Sequence, residues 1–194
     1  AAALNATRRA GRELSGCVVG QVGLGAAGIG IVRLLQHAGV KKVLGADLDT
    51  GAVNRLVGMG GQAATLELIM NNSDIVIATT GARGLIRPES VRKGQIIMAL
   101  SNPDPEIEPA DALAHGAAIA ADGKGINNLL GYPGLFKGAL AARATRFTDA
   151  MLLAAAEAIA ERAKGDDLVP DPLDREVHQG VAAAVSRAWQ TGAS

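Results

Sequence analysis

The stretch Cys17-Val18-Val19-Gly20-Gln21-Val22-Gly23-Leu24-Gly25-Ala26-Ala27-Gly28 decides how this chain is read. An apolar run leads into glycines spaced Gly-x-Gly-x-x-Gly, and Ile29, Ile31, Val32, Leu34 and Leu35 follow at helical spacing. That pattern predicts strand, tight turn and helix in succession. Gly23 then allows the turn, Gly25 lets the backbone approach a pyrophosphate, and Gly28 lets the helix press on the sheet. The anion would lie at a helix N-terminus, where unpaired N–H groups and the macrodipole favour negative charge.

Outward from the turn, Val43-Leu44-Gly45-Ala46-Asp47 predicts a second strand. Asp47 stands about 20 residues beyond the glycines, where a carboxylate accepts from the adenosine ribose hydroxyls. This context favours a dinucleotide site over a purely structural βαβ turn. Asp47 also favours NAD, because a carboxylate repels the 2′-phosphate of NADP. Leu48-Asp49-Thr50 offers no cation to clamp a phosphate and Asp49 adds negative charge, whereas Arg55 could reach back and keeps NADP as the second choice. Lys41 and Lys42 are expected at the opposite end of that strand.

The 194 residues suffice for a core without disulfide or metal staples and predict a single dinucleotide-binding domain over 1–194. Formal charge is balanced and aromatic content is 2%, so neither a basic nucleic-acid footprint nor a base-stacking platform is visible. No apolar run is long enough for a membrane span and no signal peptide is visible, so the expected setting is cytoplasmic. The lone Cys17 reads as a small buried hydrophobe.

Further strands are predicted over 61–64, 74–78, 96–100 and 117–120, and helices over 1–14, 50–58, 65–71 and, after a short one opened by Pro88, from Leu135 onward. Thr148 or Asp149 caps a helix over 150–164, and a last helix over 175–189 is expected on the sheet. Near-continuous apolar strands alternating with helices predict an α/β fold, a doubly wound parallel sheet of Rossmann type with a helical C-terminal extension.

Ligands of such sheets bind outside the carboxyl ends of the strands, which directs attention to Thr79-Thr80-Gly81, Ser101-Asn102-Pro103 and the segment 122–128. An Asn fixed there can hold a carboxamide by donor and acceptor, although Asn, Pro and Asp also favour turns unaided. Lys124 and Asp122 read as a solvated turn rather than as acid and base. Asp104, Glu106 and Glu108 read as solvated loop and cap residues, and His37, His115 and His178 have no metal-site spacing.

Gly-Leu-Gly-Ala-Ala-Gly-Ile-Gly-Ile at 23–31, Met-Ala-Leu-Ser-Asn-Pro-Asp-Pro-Glu-Ile at 98–107 and Ile-Asn-Asn-Leu-Leu-Gly-Tyr-Pro-Gly-Leu-Phe-Lys-Gly-Ala-Leu at 126–140 together resemble the cofactor-binding lobe of malic enzymes. The shorter bacterial type is the nearest match, and malolactic enzymes share the lobe. The resemblance implies NAD or NADP as cofactor and, in the complete enzyme, oxidation of L-malate with loss of CO2 to give pyruvate, aided by Mg²⁺ or Mn²⁺ as a Lewis acid. It implies that Asn102 and Asn128 face the nicotinamide and malate, and that Gly23, Gly25, Ala26, Ala27, Gly28 and Thr79, Thr80 and Gly81 line the cofactor.

In that family the catalytic Tyr and Lys and the metal-binding acids belong to a lobe upstream of the helix with which this sequence begins. The chain is therefore expected to bind cofactor and to lack the general base, the general acid and the metal ligands. The loop Asp122-Gly123-Lys124-Gly125 is several residues shorter than its bacterial counterpart. A stand-alone NAD-binding or sensing module is the alternative, and the cofactor lobe of another dehydrogenase, such as an amino-acid dehydrogenase, is a third. Apolar surface on the first helix and on the helix after Gly134 is expected to mark oligomerisation or docking to the missing lobe.

Overall fold

The computed structural model describes residues 1–126 and 128–192, apart from the side chain of Asn128. They gather into two compact units, one from Thr7 to Ile126 and one combining residues 1–6 with 128–192.

The first unit is built on six strands, β1 (Val18–Val22), β2 (Lys42–Ala46), β3 (Gln62–Ala63), β4 (Ile75–Ala78), β5 (Ile96–Ala99) and β6 (Ile119–Asp122). All neighbours pair in parallel, in the order β3-β2-β1-β4-β5-β6. Every residue of β4 and β5 is buried, as apolar strands covered on both faces require. Helices α2 (Ala26–His37), α3 (Thr50–Gly58), α4 (Leu66–Asn72) and α5 (Pro109–Ala114) supply four of the five crossovers, and the one from β4 to β5 carries a 3-10 turn at Pro88–Ser90. Asp49 caps α3 by accepting from the Gly51 N–H, and Thr65 caps α4 by accepting from Leu68. Ile69, Met70, Val76, Ile97 and Ile107 form the centre of one core cluster. Truncating such a buried aliphatic to Ala costs about 2–5 kcal/mol.

Register places the functional edge. Val22 pairs with Ala46 on one side and with Ala78 on the other, Ala78 pairs with Ala99, and Ala99 with Asp122. The residues that leave these strands therefore start from one row: Gly23, Asp47, Thr79, Leu100 and Gly123. β1 is the point where strand order reverses, the position at which open parallel sheets form a crevice.

Some boundaries differ from expectation. The helix expected over 1–14 is α1 (Ala2–Arg9), after which the chain turns through Gly11 at φ +66° and forms a 3-10 turn at Leu14–Gly16. The sixth strand begins at Ile119 instead of 117, because Ala118 donates to the Gln95 carbonyl before the ladder opens with Ile96 opposite Ile119.

The second unit consists chiefly of α6 (Tyr132–Ala141), α7 (Asp149–Ala160) and α8 (Arg175–Gly192) around Met151, Val177, Val181 and Val185. A Cβ on Gly134 would stand 2.6 Å from the Val181 side chain, and one on Gly138 2.5 Å from the Ala182 carbonyl, so two glycines one turn apart set the approach of α6 to α8. α6 begins three residues earlier than expected. The last helix, expected on the sheet, has its packing partners in α6 and α7. Thr148 is the cap of α7, accepting from the Met151 N–H at 3.3 Å. Ala2 and Ala6 of α1 are buried instead of exposed. α6 does present apolar surface, with Tyr132, Phe136 and Leu140 exposed and Phe136 stacked edge-on with Phe147 at 5.2 Å.

Candidate functional site

The glycine turn is held from beneath by Gln21, a fully buried amide in an otherwise apolar strand. Its Nε2 donates to the Gly23 carbonyl at 3.0 Å and to Thr79 Oγ1 at 3.0 Å, and Thr79 Oγ1 itself donates to the Gly23 carbonyl at 3.2 Å. Gly23 sits at φ +87°, and a Cβ there would come within 2.7 Å of the Thr79 carbonyl oxygen. At Gly28 a Cβ would collide with the Gly23 carbonyl oxygen. Both glycines are thus required by contacts inside the protein.

Gly25 is different. A Cβ on it would meet nothing within 4 Å, and its φ of −65° suits any residue. It is the N-cap of α2 and carries no side chain to accept from the first-turn amides. Gly25, Ala26 and Ala27 are exposed, so the helix end opens outward with bare N–H groups and room above its backbone. That is the cradle a phosphate fills.

Beside it lies a cleft of about 610 Å³ lined by Gly23, Gly25, Asp47, Leu48, Leu66, Thr79 and Thr80, with Ala64 and Leu85 among its apolar walls. Asp47 Oδ2 accepts from the Leu24 N–H at 2.6 Å and Oδ1 from the Asp49 N–H at 2.8 Å. The Asp49 and Leu24 amides hold the carboxyl below the ordinary carboxylate range, so it is anionic at neutral pH. Two hydrogen bonds leave about half of a carboxylate's acceptor capacity for ligand hydroxyls. Arg55 pairs with Asp49 at 3.7 Å, both side chains being exposed. Lys41 and Lys42 are exposed, with Lys42 opening β2 at the amino end, as expected.

On the other side of the reversal point, Ser101 Oγ accepts from the Gly81 N–H at 2.8 Å, which joins the loops after β4 and β5. Asn102 is exposed and its Nδ2 donates to the Gly123 carbonyl at 3.3 Å, while the Asn102–Pro103 peptide is cis. Asn127 and the side chain of Asn128 lie outside the described residues, so the expected role of Asn128 has no structural counterpart here. Asp122 Oδ1 accepts from the Lys124 and Gly125 amides, the turn role read for it.

One expectation is overturned. Glu106 is not a solvated loop residue: its relative exposure is 0%. Pro105 and Ile107 are buried with it, and the backbone is tied down by the Ile86 N–H donating to the Glu106 carbonyl at 3.0 Å. Its Oε1 accepts from the Thr80 N–H at 2.6 Å, Thr80 Oγ1 at 2.8 Å and Ser101 Oγ at 2.6 Å. Burial by itself pushes the carboxyl up, but the Ser101 and Thr80 donors outweigh it and hold the group below its ordinary value. Gln21 was likewise passed over, although a lone amide inside an apolar strand was a usable signal.

Cys17 is buried, with burial and the nearby Asp74 raising its thiol pKa, which agrees with an inert role. Among the described residues no cluster of three His, Cys, Asp or Glu side chains could hold a metal ion, and no helix is long and apolar enough to cross a membrane.

The sequence profile described as "Malic enzyme, NAD binding domain" matches residues 58–189. The chain is 56% identical over 192 residues to NAD-dependent malic enzyme 1 of Bacillus subtilis, covering 98% of this chain and 44% of that protein. It is 34% identical to the bifunctional malic/malolactic enzyme of the same organism, covering 97% and 53%. Among solved structures, malic enzyme from Pyrococcus horikoshii superposes with a TM-score of 0.88 at 33% identity, covering 98% of this chain and 52% of that one. The NAD-dependent malic enzyme of Thermotoga maritima gives 0.85 at 31%, covering 95% and 55%. The chain thus spans about half the length of these relatives.

Proposed function

The chain belongs to the malic enzyme family, matching its NAD-binding domain, and on that premise we propose that it is the NAD-binding half of an enzyme that oxidatively decarboxylates L-malate to pyruvate and CO2. The observation that carries this reading is the meeting, at one sheet edge, of an uncapped helix N-terminus above Gly25 and the carboxylate of Asp47. A pyrophosphate and an adenosine ribose need those two groups side by side.

NAD, when bound, accepts hydride from C2 of malate. The amides of Gly25, Ala26 and Ala27 hold its pyrophosphate, and Asp47 accepts from the ribose hydroxyls while disfavouring a 2′-phosphate. Leu48, Ala64 and Leu66 supply apolar walls for the adenine. Thr79, Thr80 and Gly81 would line the path toward the nicotinamide, and the family resemblance assigns Asn102 and Asn128 to the nicotinamide and malate. Mg²⁺ or Mn²⁺ belongs to the complete enzyme. The described residues of this chain do not fit a metal centre, so its ligands and the proton-transferring groups are assigned to the half of the relatives' length that this chain does not span. The exposed Tyr132, Phe136 and Leu140 on α6 are assigned to docking of that half or of a second copy.

The test is calorimetric titration of the chain with NAD and NADP, followed by a progress curve with NAD, L-malate and Mn²⁺. Tighter binding of NAD than of NADP without turnover is the expected result. Turnover would overturn the assignment of the proton-transferring groups to the other half, and failure to bind NAD would overturn the cofactor reading.

A further inference from the structure

The most buried ionisable group beside the cleft is one that the reading above does not use. Glu106 bridges the loops that follow β4 and β5, and those loops carry Thr80, Gly81 and Asn102. A carboxylate can only accept, so it takes the single proton of each hydroxyl that faces it. Thr80 and Ser101 both donate to its Oε1. With their protons committed, their lone pairs point to the backbone: Thr80 Oγ1 accepts from the Ala82 N–H at 3.1 Å and Ser101 Oγ from the Gly81 N–H at 2.8 Å. One buried anion therefore sets the direction of two hydroxyls and four amides, those of Thr80, Gly81, Ala82 and, through Oε2 at 3.4 Å, Ser101.

The adenosine side has no direct bond to this anion, although Thr80 also reaches the wall of its cleft. Asp47, Leu24 and the Gly25 helix end are linked to one another and to Asp49, and none of them bonds to Glu106. Gln21 and Thr79 support the glycine turn independently. A dinucleotide whose pyrophosphate lies at β1 and whose adenosine lies at β2 must send its nicotinamide half across the reversal point toward β4 and β5.

We propose that Glu106 is the positioning residue of the nicotinamide half-site, fixing the Thr80–Gly81 loop against the Ser101–Asn102 loop so that both meet the nicotinamide ribose and ring. This rests on the chain binding NAD as proposed above. Glu106 touches neither cofactor nor substrate, and its effect passes through the two hydroxyls.

The experiment compares ADP, which carries the adenosine half and the pyrophosphate but no second ribose, with NADH on the 194-residue chain. Affinity is read by calorimetry, and the nicotinamide environment by the fluorescence enhancement of bound NADH. For Glu106→Ala, NADH affinity falls about tenfold, the equivalent of one charge-assisted hydrogen bond, and the enhancement is lost while ADP affinity stays within about twofold. Glu106→Gln restores most of the NADH affinity, because its amide oxygen still accepts from Thr80 and Ser101. Ser101→Ala, which keeps the buried acid, shows the same selective loss as Glu106→Ala and carries the test if that variant does not fold. Equal loss of both ligands, or unchanged NADH affinity and fluorescence in these variants, overturns the inference and leaves NAD binding standing. An unaltered chain that binds neither ligand overturns the cofactor reading, and the inference falls with it.

Discussion

Asp47 Oδ2 accepts the backbone N–H of Leu24 at 2.6 Å, so the residue that closes β2 is bonded to the glycine turn that follows β1. One carboxylate thereby shapes the turn and is held facing the cleft. Asp47→Asn keeps the size and removes the charge. Its expected effect is a loss of about 1.5–3 kcal/mol in NAD binding, or roughly ten- to hundredfold, with NADP losing much less. Parallel calorimetric titrations check this; an unchanged ratio of the two affinities would mean that Asp47 does not read the ribose.

Gly25 and Gly28 separate ligand space from protein space. A Cβ on Gly28 collides with the Gly23 carbonyl oxygen, whereas one on Gly25 meets nothing within 4 Å. Gly28→Ala is therefore expected to cost at least the 1–3 kcal/mol of an overpacked core, seen as a lower urea midpoint. Gly25→Ala leaves the midpoint within about 0.5 kcal/mol of the original stability and weakens NAD about tenfold or more, since the added methyl occupies the place of the phosphate. Denaturation and binding measured on both variants decide the matter, and a Gly25→Ala chain that binds NAD normally would remove the pyrophosphate from this helix end.

Most of the fold could be read from the chain because its two periods are clean. β4 and β5 are unbroken apolar runs, and the turn at 23–28 names its own geometry. The sheet edge is legible for the same reason, since strand ends alone nominate Asp47, Thr79 and Asn102. What escaped was the polar scaffold beneath that edge. Glu106 stands among acidic residues and prolines, which is how a hydrated loop looks, and only burial of its neighbour Ile107 with Ile86 turns it inward. Gln21 lies inside a strand, where periodicity reports burial but not which hydrogen bonds a buried amide completes. Partners distant in sequence, such as Glu106 and Thr80, are set by tertiary approach and leave no local spacing to detect.

Leu48 is a fully exposed aliphatic on the wall of the cleft, next to the ribose-reading carboxylate. Such exposure contributes nothing to the fold, so Leu48→Ser is expected to change stability by less than about 0.5 kcal/mol. Covered by an adenine, the same side chain would lose apolar area worth about 1 kcal/mol at 25 cal/mol per Å², which predicts severalfold weaker binding. AMP titration isolates this contribution from the nicotinamide end. Equal AMP affinity in the two proteins would exclude Leu48 as an adenine contact.

Acid should loosen this edge before it unfolds the rest. Glu106 has its folded pKa held below the ordinary 4.5, and Asp47 below 3.8. For groups depressed in this way the folded state binds fewer protons than the unfolded chain, so their contribution is complete above the unfolded pKa and is lost as pH falls through the folded one. Unfolding free energy is thus expected to decline below about pH 4.5, each such group adding a slope of at most about 1.4 kcal/mol per pH unit. Other carboxylates titrate in the same window, so the informative quantity is the difference between the unaltered chain and Glu106→Gln. That difference should be constant above the window and shrink within it, because the amide has no proton to gain. A Glu106→Gln chain whose stability falls with acid as steeply as the original would show that folding leaves the Glu106 pKa unshifted, and the donors of Thr80 and Ser101 would then not favour its anion.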